Sequence, residues 1–226
     1  MAIQDFTTNR RRNQARENWA ARTSPLNQEP ARIKVVGVGN AGSKRVERMM
    51  RQAVPGMTFA MVTANANGTE TSGPGVDVIQ IGSDNIRAWS GLEGHQTGIG
   101  GPNDSPDETS QQLRQSLADA DLVFVTAGMG GGTGTSAAPY VARLAKEQGA
   151  FVMALVTAPF SFEGRRRMGL AIASINRLRP QVDNLILVHN DRLLSYIDHR
   201  SQMAPAFQKV DEVVTQAMID LSGVIN

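Results

Sequence analysis

Six apolar runs are spaced along the chain and alternate with polar or amphipathic segments. They cover residues 33–38, 58–63, 77–81, 122–125, 150–157 and 184–190. Apolar runs of this length that are rich in β-branched side chains are typical of buried strands. Strands that alternate with helical segments predict an α/β fold, here a Rossmann-like, mostly parallel sheet that is flanked by helices.

The segments between these runs differ in their own patterns. Amphipathic helices are predicted after residue 42 and over residues 107–119, 137–148 and 204–221. The last of them carries an apolar stripe at helical spacing, formed by Phe207, Val210, Val213, Val214, Ala217 and Leu221. Residues 82–106 are rich in Gly, Asn, Ser and Pro, and this composition predicts a loop.

Composition indicates one large domain behind a polar, basic tail. The chain has 226 residues, of which 41% are apolar, enough for a sizeable core. Residues 1–30 lack an apolar pattern and are predicted to be disordered, with at most a short helix over 8–21, so the domain is placed at 31–226. Residues 1–34 hold seven of the 23 basic residues but only three of the 21 acidic ones. Such a tail is either solvated or a contact for nucleic acid or anionic lipid.

Several functional classes are disfavoured by what the sequence lacks. It contains no apolar run long enough to span a membrane and no apolar segment typical of a signal peptide. It has no cysteine, and its three histidines are scattered without metal-binding spacing. No aromatic residues are interleaved with the basic tail as base stacking would require. We therefore expect a cytoplasmic protein without a metal centre of its own and without a specific nucleic-acid partner.

The strongest chemical signal is a glycine-rich segment between a predicted strand and a predicted helix. Five glycines fall within residues 128–134, and Thr133, Thr135 and Ser136 add hydroxyl groups. Glycines let the backbone N–H groups approach an anion, and a helix N-terminus adds partial positive charge. A flexible linker is the alternative, but linkers are not normally entered from a buried strand and left through a helix. The segment therefore predicts a phosphate-binding loop.

A second glycine motif, G-x-G-x-x-G, lies at residues 37–42 directly after the first predicted strand. This is the dinucleotide-binding fingerprint, and it makes a NAD-dependent enzyme an alternative. That fingerprint also requires an acid about 20 residues on, but the second strand is followed by Ala64-Asn65-Ala66-Asn67. Lys44 and Arg45 follow the loop, where they either bind an anion or lie on a solvated helix face.

Residues 130–136, Gly-Gly-Gly-Thr-Gly-Thr-Ser, resemble the signature loop of the FtsZ/tubulin superfamily, and the similarity extends from about residue 33 to about residue 221. Segments 158–167 and 190–194 match the family pattern as well. The resemblance implies a GTP-binding domain whose last long helix is the central helix of an FtsZ/tubulin-type GTPase. It implies GTP or GDP as ligand, with Mg²⁺ as a candidate companion of GTP, in a cell-division-type cytoskeletal protein.

The resemblance also implies which residues hold the nucleotide. Asn190 reads guanine, Phe207 stacks on the base, and the Asp211 carboxylate accepts hydrogen bonds from the base edge; Glu163 and Arg167 contact the ribose, unless they only shape a helix N-terminus with Ser161 as its cap. On this basis Asp211→Ala weakens nucleotide binding. The full set is Gly39, Asn40, Ala41, Gly42, Gly128, Met129, Gly130, Gly131, Gly132, Thr133, Gly134, Thr135, Glu163, Arg167, Asn190, Phe207 and Asp211.

Three departures from the family pattern bear on catalysis. Asn65 stands where the family has an acid, residues 91–106 lack the motif that senses the γ-phosphate, and the sequence stops at Asn226 before the family's acidic loop and second domain. The resemblance implies that this loop acts on the nucleotide of the next subunit. We therefore assign no catalytic residue and expect weak or no hydrolysis and no long filaments. The remaining alternative is a non-catalytic regulator that co-assembles with a full-length FtsZ-like partner.

Overall fold

The computed structural model describes residue 17 and residues 30–54, 56–64, 75–90, 108–196 and 203–225. In these residues one sheet has the strand order β3-β2-β1-β4-β5-β6, and every pairing is parallel. This confirms the predicted Rossmann-like α/β fold, and the sheet is wholly parallel rather than mostly so. The strands are β1 (Ile33–Val38), β2 (Met57–Thr63), β3 (Val76–Gln80), β4 (Leu122–Gly128), β5 (Phe151–Ala158) and β6 (Asn184–His189).

Helices connect the strands and cover both faces of the sheet. In the described part of the chain they are α1 (Gly39–Arg51), α2 (Ser83–Ser90), α3 (Glu108–Leu117), α4 (Thr133–Glu147), α5 (Arg165–Leu178) and α6 (Met203–Ile225). Short 3₁₀ turns lie at Ser161–Glu163, Arg179–Gln181 and Asn190–Tyr196. None of the described helices is long and apolar enough to cross a membrane.

The two faces of the sheet pack into two separate apolar clusters. In β1, Val36 and Val38 belong to the cluster under α4 and α5, whereas Ile33 and Val35 belong to the cluster under α1 and α6. This alternation follows from the two-residue period of a strand. Because both faces are covered, the central strands read as continuous apolar runs, which is why the sequence revealed them.

Two element predictions were wrong. Residues 83–90, which were predicted to be part of a loop, form α2. The sequence Ser-Asp-Asn at its start is polar, but Trp89 is buried and stacks on Tyr140 with ring centroids 4.1 Å apart, so tertiary packing overrides the local composition. In addition, α4 begins at Thr133 rather than at 137. The end of the glycine loop is therefore the first turn of the helix.

The strand order creates a crevice at one edge of the sheet. The chain passes from β1 towards β2 on one side and from β4 towards β5 on the other. The connections that leave the carboxyl ends of β1 and β4 therefore diverge, and such a switch point is where open parallel sheets bind ligands. The predicted tail over residues 1–30, Asn65 and the segment 91–106 lie outside the described residues, apart from positions 17 and 30.

Candidate functional site

A pocket of about 1010 Å³ opens at the carboxyl edge of the sheet, at the switch point between β1 and β4. Residues far apart in the sequence line it together. Fourteen of the seventeen residues predicted to hold a nucleotide are among them: Gly39, Asn40, Ala41, Gly128, Met129, Gly131, Gly132, Thr133, Gly134, Glu163, Arg167, Asn190, Phe207 and Asp211.

The other three predicted residues, Gly42, Gly130 and Thr135, support the pocket instead of lining it. A Cβ on Gly42 would lie 2.5 Å from the carbonyl oxygen of Thr126, so only glycine allows α1 to approach β4. Gly130 has a φ of +92°, and a Cβ there would lie 2.7 Å from the carbonyl oxygen of Arg167. Its N–H donates to Thr135 Oγ1 at 2.9 Å. These residues therefore hold the shape of the glycine loop.

The two glycine loops contact each other at the floor of the pocket. A Cβ on Gly39, whose φ is +71°, would lie 3.1 Å from the backbone nitrogen of Gly134, and one on Gly128 would lie 3.1 Å from the Cβ of Ala41. The close approach brings the start of α1 next to the start of α4. The loops leave little room for a larger residue, and the positive φ of Gly39 also favours glycine.

Both helices point their N-termini into this part of the pocket without a neutralising side chain. Neither α1 nor α4 has an acid in its first turn, and neither has a side-chain cap. The first backbone N–H groups of a helix have no partner within the helix, and they carry partial positive charge. A Cβ on Gly132 would meet no described atom within 4 Å. This end of the pocket suits an anion such as a phosphate group.

Glu163 and Arg167 form an ion pair at the wall of the pocket. Glu163 Oε2 lies 2.6 Å from Arg167 Nη1, and Glu163 Oε1 accepts a hydrogen bond from the N–H of Phe160 at 2.8 Å. Gly164, with a φ of +96°, separates the 3₁₀ turn that contains Glu163 from α5, which contains Arg167. The alternative in which these residues shape a helix N-terminus is wrong for Ser161, because Phe160 stands at the cap position, but Glu163 does lie in the first turn as that alternative expected.

Three further side chains of the predicted site line the pocket. Asn190 follows β6 and is buried, and its Oδ1 atom has no hydrogen-bond partner among the described residues. Phe207 of α6 is 38% exposed, and its ring meets that of Phe160 edge-on, with centroids 5.1 Å apart. Asp211 lies one turn further along α6. An aromatic face, a buried amide and a carboxylate are the groups that would recognise a heterocyclic base.

Arg45 is a residue of this site that the sequence did not reveal. It was expected either to bind an anion or to lie on a solvated face. The second alternative is wrong because the residue is buried, and the first stays a prediction. Its side chain is 1% exposed, and its Nε donates to Asp211 Oδ1 at 2.9 Å. Burial lowers the pKa of the guanidinium, although the charge of Asp211 and its hydrogen bond oppose this shift. Lys44, by contrast, is exposed at the rim of the pocket, where both alternatives stay open.

Residues 32–198 match the model of the Tubulin/FtsZ family GTPase domain. The chain belongs to the Tubulin/FtsZ family. This confirms the resemblance seen in the glycine loop. The match extends from just before β1 to the 3₁₀ turn after β6, so it includes both glycine loops and Asn190 but not α6.

Solved structures support the same assignment. The chain superposes on an empty FtsZ dimer from M. jannaschii with a TM-score of 0.73 and 30% identity, covering 88% of this chain and 57% of that one. It matches the W319Y mutant of FtsZ from M. jannaschii with a TM-score of 0.72 and 29% identity over 88% and 58% of the two chains. A CetZ from Methanosaeta thermophila gives 0.66 at 20% identity over 84% and 53%, which shows the fold. The chain thus spans somewhat more than half the length of these relatives.

Proposed function

We propose that the pocket binds GTP and GDP, with the phosphate groups on the two glycine loops and the guanine between Phe207, Asn190 and Asp211. The observation that carries the proposal is that a site suited to phosphate and a site suited to a base lie in one pocket. Uncapped helix N-termini form the first site, and an aromatic ring with hydrogen-bonding groups forms the second. Membership of a GTPase family supports it.

The preference for guanine follows from the polarity of Asp211. Guanine presents two donors, N1–H and the N2 amino group, on the edge that a carboxylate would accept. Adenine has an acceptor at N1, so it would leave the carboxylate facing a lone pair. A site that is built to hydrogen-bond one group rejects an analogue without it strongly, since its buried polar atoms then stay unpaired.

The role of a metal ion and the turnover of GTP belong to this proposal. Among the described residues no group of three or more histidine, aspartate and glutamate side chains could hold a metal ion. We therefore propose that any Mg²⁺ is carried mainly by the phosphate oxygens of GTP. The carboxylates that line the described pocket, Glu47, Glu163 and Asp211, are each paired with an arginine. They are poorly suited to orient an attacking water.

Calorimetric titration of the purified chain with GDP, GTP, ADP and NAD tests the proposal. We expect GDP and GTP to bind at least tenfold more tightly than ADP, because an unpaired hydrogen-bonding group costs about 1–3 kcal/mol. Equal affinities for GDP and ADP would contradict the assignment of the base end. Tight binding of NAD without binding of GDP would support the alternative nicotinamide-dependent enzyme instead.

Gly132→Val tests the phosphate end separately. The glycine is exposed, has no positive φ, and has open space where a Cβ would stand, so the domain should fold normally. The valine side chain would occupy the space of the phosphates, and we expect GDP affinity to fall by at least about a hundredfold, since steric exclusion acts on the anchor group. Gly169→Val is the matched control, because Gly169 is an exposed position of α5 with equally open surroundings. Unchanged GDP affinity in folded Gly132→Val would refute the role of this loop.

A further inference from the structure

We propose that Arg45 is a positioning residue that sets the base selectivity of the pocket by fixing the carboxylate of Asp211. The inference rests on the proposed guanine-nucleotide function and names a residue on which its specificity depends. Arg45 belongs to α1 and Asp211 to α6, and the two residues are 166 positions apart in the sequence.

The guanidinium of Arg45 is held at three points by three different elements. Nε donates to Asp211 Oδ1 of α6 at 2.9 Å, Nη1 donates to Thr126 Oγ1 of β4 at 3.0 Å, and Nη2 donates to Thr157 Oγ1 of β5 at 3.1 Å. Because a guanidinium is planar and rigid, three anchors fix both its position and its plane. Through Arg45, the position of Asp211 Oδ1 is therefore fixed relative to β4 and β5. Without Arg45, it would depend only on the rotamer of Asp211 on α6.

The arrangement leaves the rest of the carboxylate available to a ligand. Arg45 binds Oδ1, and Oδ2 has no partner among the residues that the structure describes. Both residues line the pocket, but Asp211 keeps 16% of its side chain exposed, whereas the side chain of Arg45 is 1% exposed. Arg45 thus holds Oδ1 of Asp211 in place and leaves Oδ2 to accept hydrogen bonds from the base.

A purely stabilising role does not account for this group. Taking a guanidinium out of water is costly, and a buried ion pair is often no more stable than apolar side chains of similar volume. What the pair supplies is a defined carboxylate geometry at the edge of the pocket. A pocket that separates guanine from adenine needs that geometry, because its hydrogen bonds discriminate only when the acceptor is held in place.

The test compares GDP with ADP in Arg45→Met, after the unchanged chain has been shown to prefer GDP. We expect the affinity for GDP to fall by about tenfold, the loss of one net hydrogen bond to a charged group. The affinity for ADP should change less than about twofold, because its phosphates bind the same two loops. The ratio of the two affinities is the readout, since a merely structural defect would weaken both nucleotides alike.

Two further variants make the outcome decisive. Thr126→Val keeps the shape of a fully buried residue and removes one anchor of the guanidinium, so it should lower the same ratio, and it decides the matter if Arg45→Met does not fold. Arg114→Met is the matched control. Arg114 joins two other helices through Glu147 at 2.9 Å and does not line the pocket, so its loss should leave the ratio of GDP to ADP affinity unchanged.

Asp211→Asn separates failure of this inference from failure of the proposed function. The amide keeps an oxygen for Arg45 Nε but replaces the outward oxygen by a donor. Selectivity should then move from GDP towards xanthosine diphosphate, which carries a carbonyl where guanine has its amino group. If Asp211→Asn changes selectivity and folded Arg45→Met or Thr126→Val does not, Asp211 reads the base without the help of Arg45 and the inference is overturned. If the unchanged chain shows no preference for GDP, the proposed function fails first.

Discussion

Asp211 links the proposed recognition of the base to the stability of the fold. Its carboxylate faces the pocket and also balances the charge of Arg45, whose guanidinium is almost fully buried. The sequence suggested that Asp211→Ala would weaken nucleotide binding only. The structure adds a second consequence, because alanine would leave a buried cation without its counterion.

We predict that Asp211→Ala lowers the free energy of unfolding by about 3 kcal/mol, the usual result of removing one partner of a buried ion pair. The measurement is urea unfolding without nucleotide. Asp220→Ala is the control on the same helix, where an exposed aspartate accepts a hydrogen bond from Gln216, and it should change stability by less than about 0.5 kcal/mol. In the double variant Arg45→Met/Asp211→Ala, much of the lost free energy of unfolding should be restored, because no buried cation is left without a counterion. A double variant as unstable as the sum of the two single ones would show that the pair is not coupled.

At this scale the sequence predicted motifs but not pairings. Phe207, Asn190 and Asp211 were identified from a family pattern of residue types and spacing, and all three line the pocket. Arg45 could not be identified in that way. It stands in a polar stretch between Lys44 and Val46, and nothing local distinguishes an arginine that will be buried beside a distant aspartate from one on a solvated helix face.

At the scale of elements, a proline inside α4 explains how α5 is attached to the glycine loop. Pro139 has no N–H, so it cannot donate to the carbonyl oxygen of Thr135 four residues earlier. That carbonyl instead accepts hydrogen bonds from Ser174 Oγ at 2.6 Å and from Arg177 Nη2 at 3.2 Å, both on α5. Burial lowers the pKa of the Arg177 guanidinium. The missing bond within α4 is thus replaced by two bonds to its neighbour.

We predict that the cost of Ser174→Ala depends on Pro139. In the unchanged chain the substitution should lower the free energy of unfolding by about 1 kcal/mol, because Ser174 is fully buried and donates to the carbonyl oxygen of Thr135, which has lost its donor within α4. In Pro139→Ala the restored N–H at position 139 can satisfy the carbonyl of Thr135, so the cost should fall below about 0.5 kcal/mol. Urea unfolding of the four chains measures the coupling. Equal costs in both backgrounds would contradict the replacement.

Element boundaries show why part of the fold escaped prediction. The strands were predicted well because short runs of valine and isoleucine between turn-forming residues strongly favour a strand that is buried on both faces. The start of α4 was placed four residues late, since its first turn, Thr133 to Ser136, has the composition of a loop and becomes helical through packing of Gly134 against Gly128. Helix α2 was missed because its stability depends on Trp89 and Tyr140, which are far apart in the sequence.

At the scale of the whole described molecule, the pocket and the ion pairs of the strands lie at opposite edges of the sheet. The carboxyl ends of the strands carry the pocket. Towards their amino ends, Lys34 Nζ lies 2.7 Å from Asp77 Oδ2, and Arg32 Nε lies 3.2 Å from Asp121 Oδ2. Desolvation raises the pKa of Asp77, but hydrogen bonds from Lys34 and Ser116 outweigh it and lower the pKa overall. None of the four residues in these ion pairs lines the pocket.

The order of the strands could not be predicted from their sequences, although their number and direction largely could. Parallel α/β sheets with the same six runs can be arranged in several orders. The motifs nevertheless fixed where the ligand would bind, because loops that follow parallel strands lie at one edge in every such arrangement. That is why most of the predicted site residues share one pocket even though the topology was open.

The last prediction concerns the chain as a catalyst. We expect it to bind GTP but to hydrolyse it on the order of 10²–10³ times more slowly than a GTPase with a positioned water. This factor is the usual cost of one missing stabilising group. In the described pocket Glu163 and Asp211 are both held by arginines, so neither is well placed to orient water. Phosphate release is measured over a range of protein concentrations, with Gly132→Val as the background. Turnover per chain should stay flat, because every copy holds the carboxylates of its described pocket with arginines. Turnover that rises with concentration, together with polymers that pellet in GTP, would show that two copies of this chain complete the site between them.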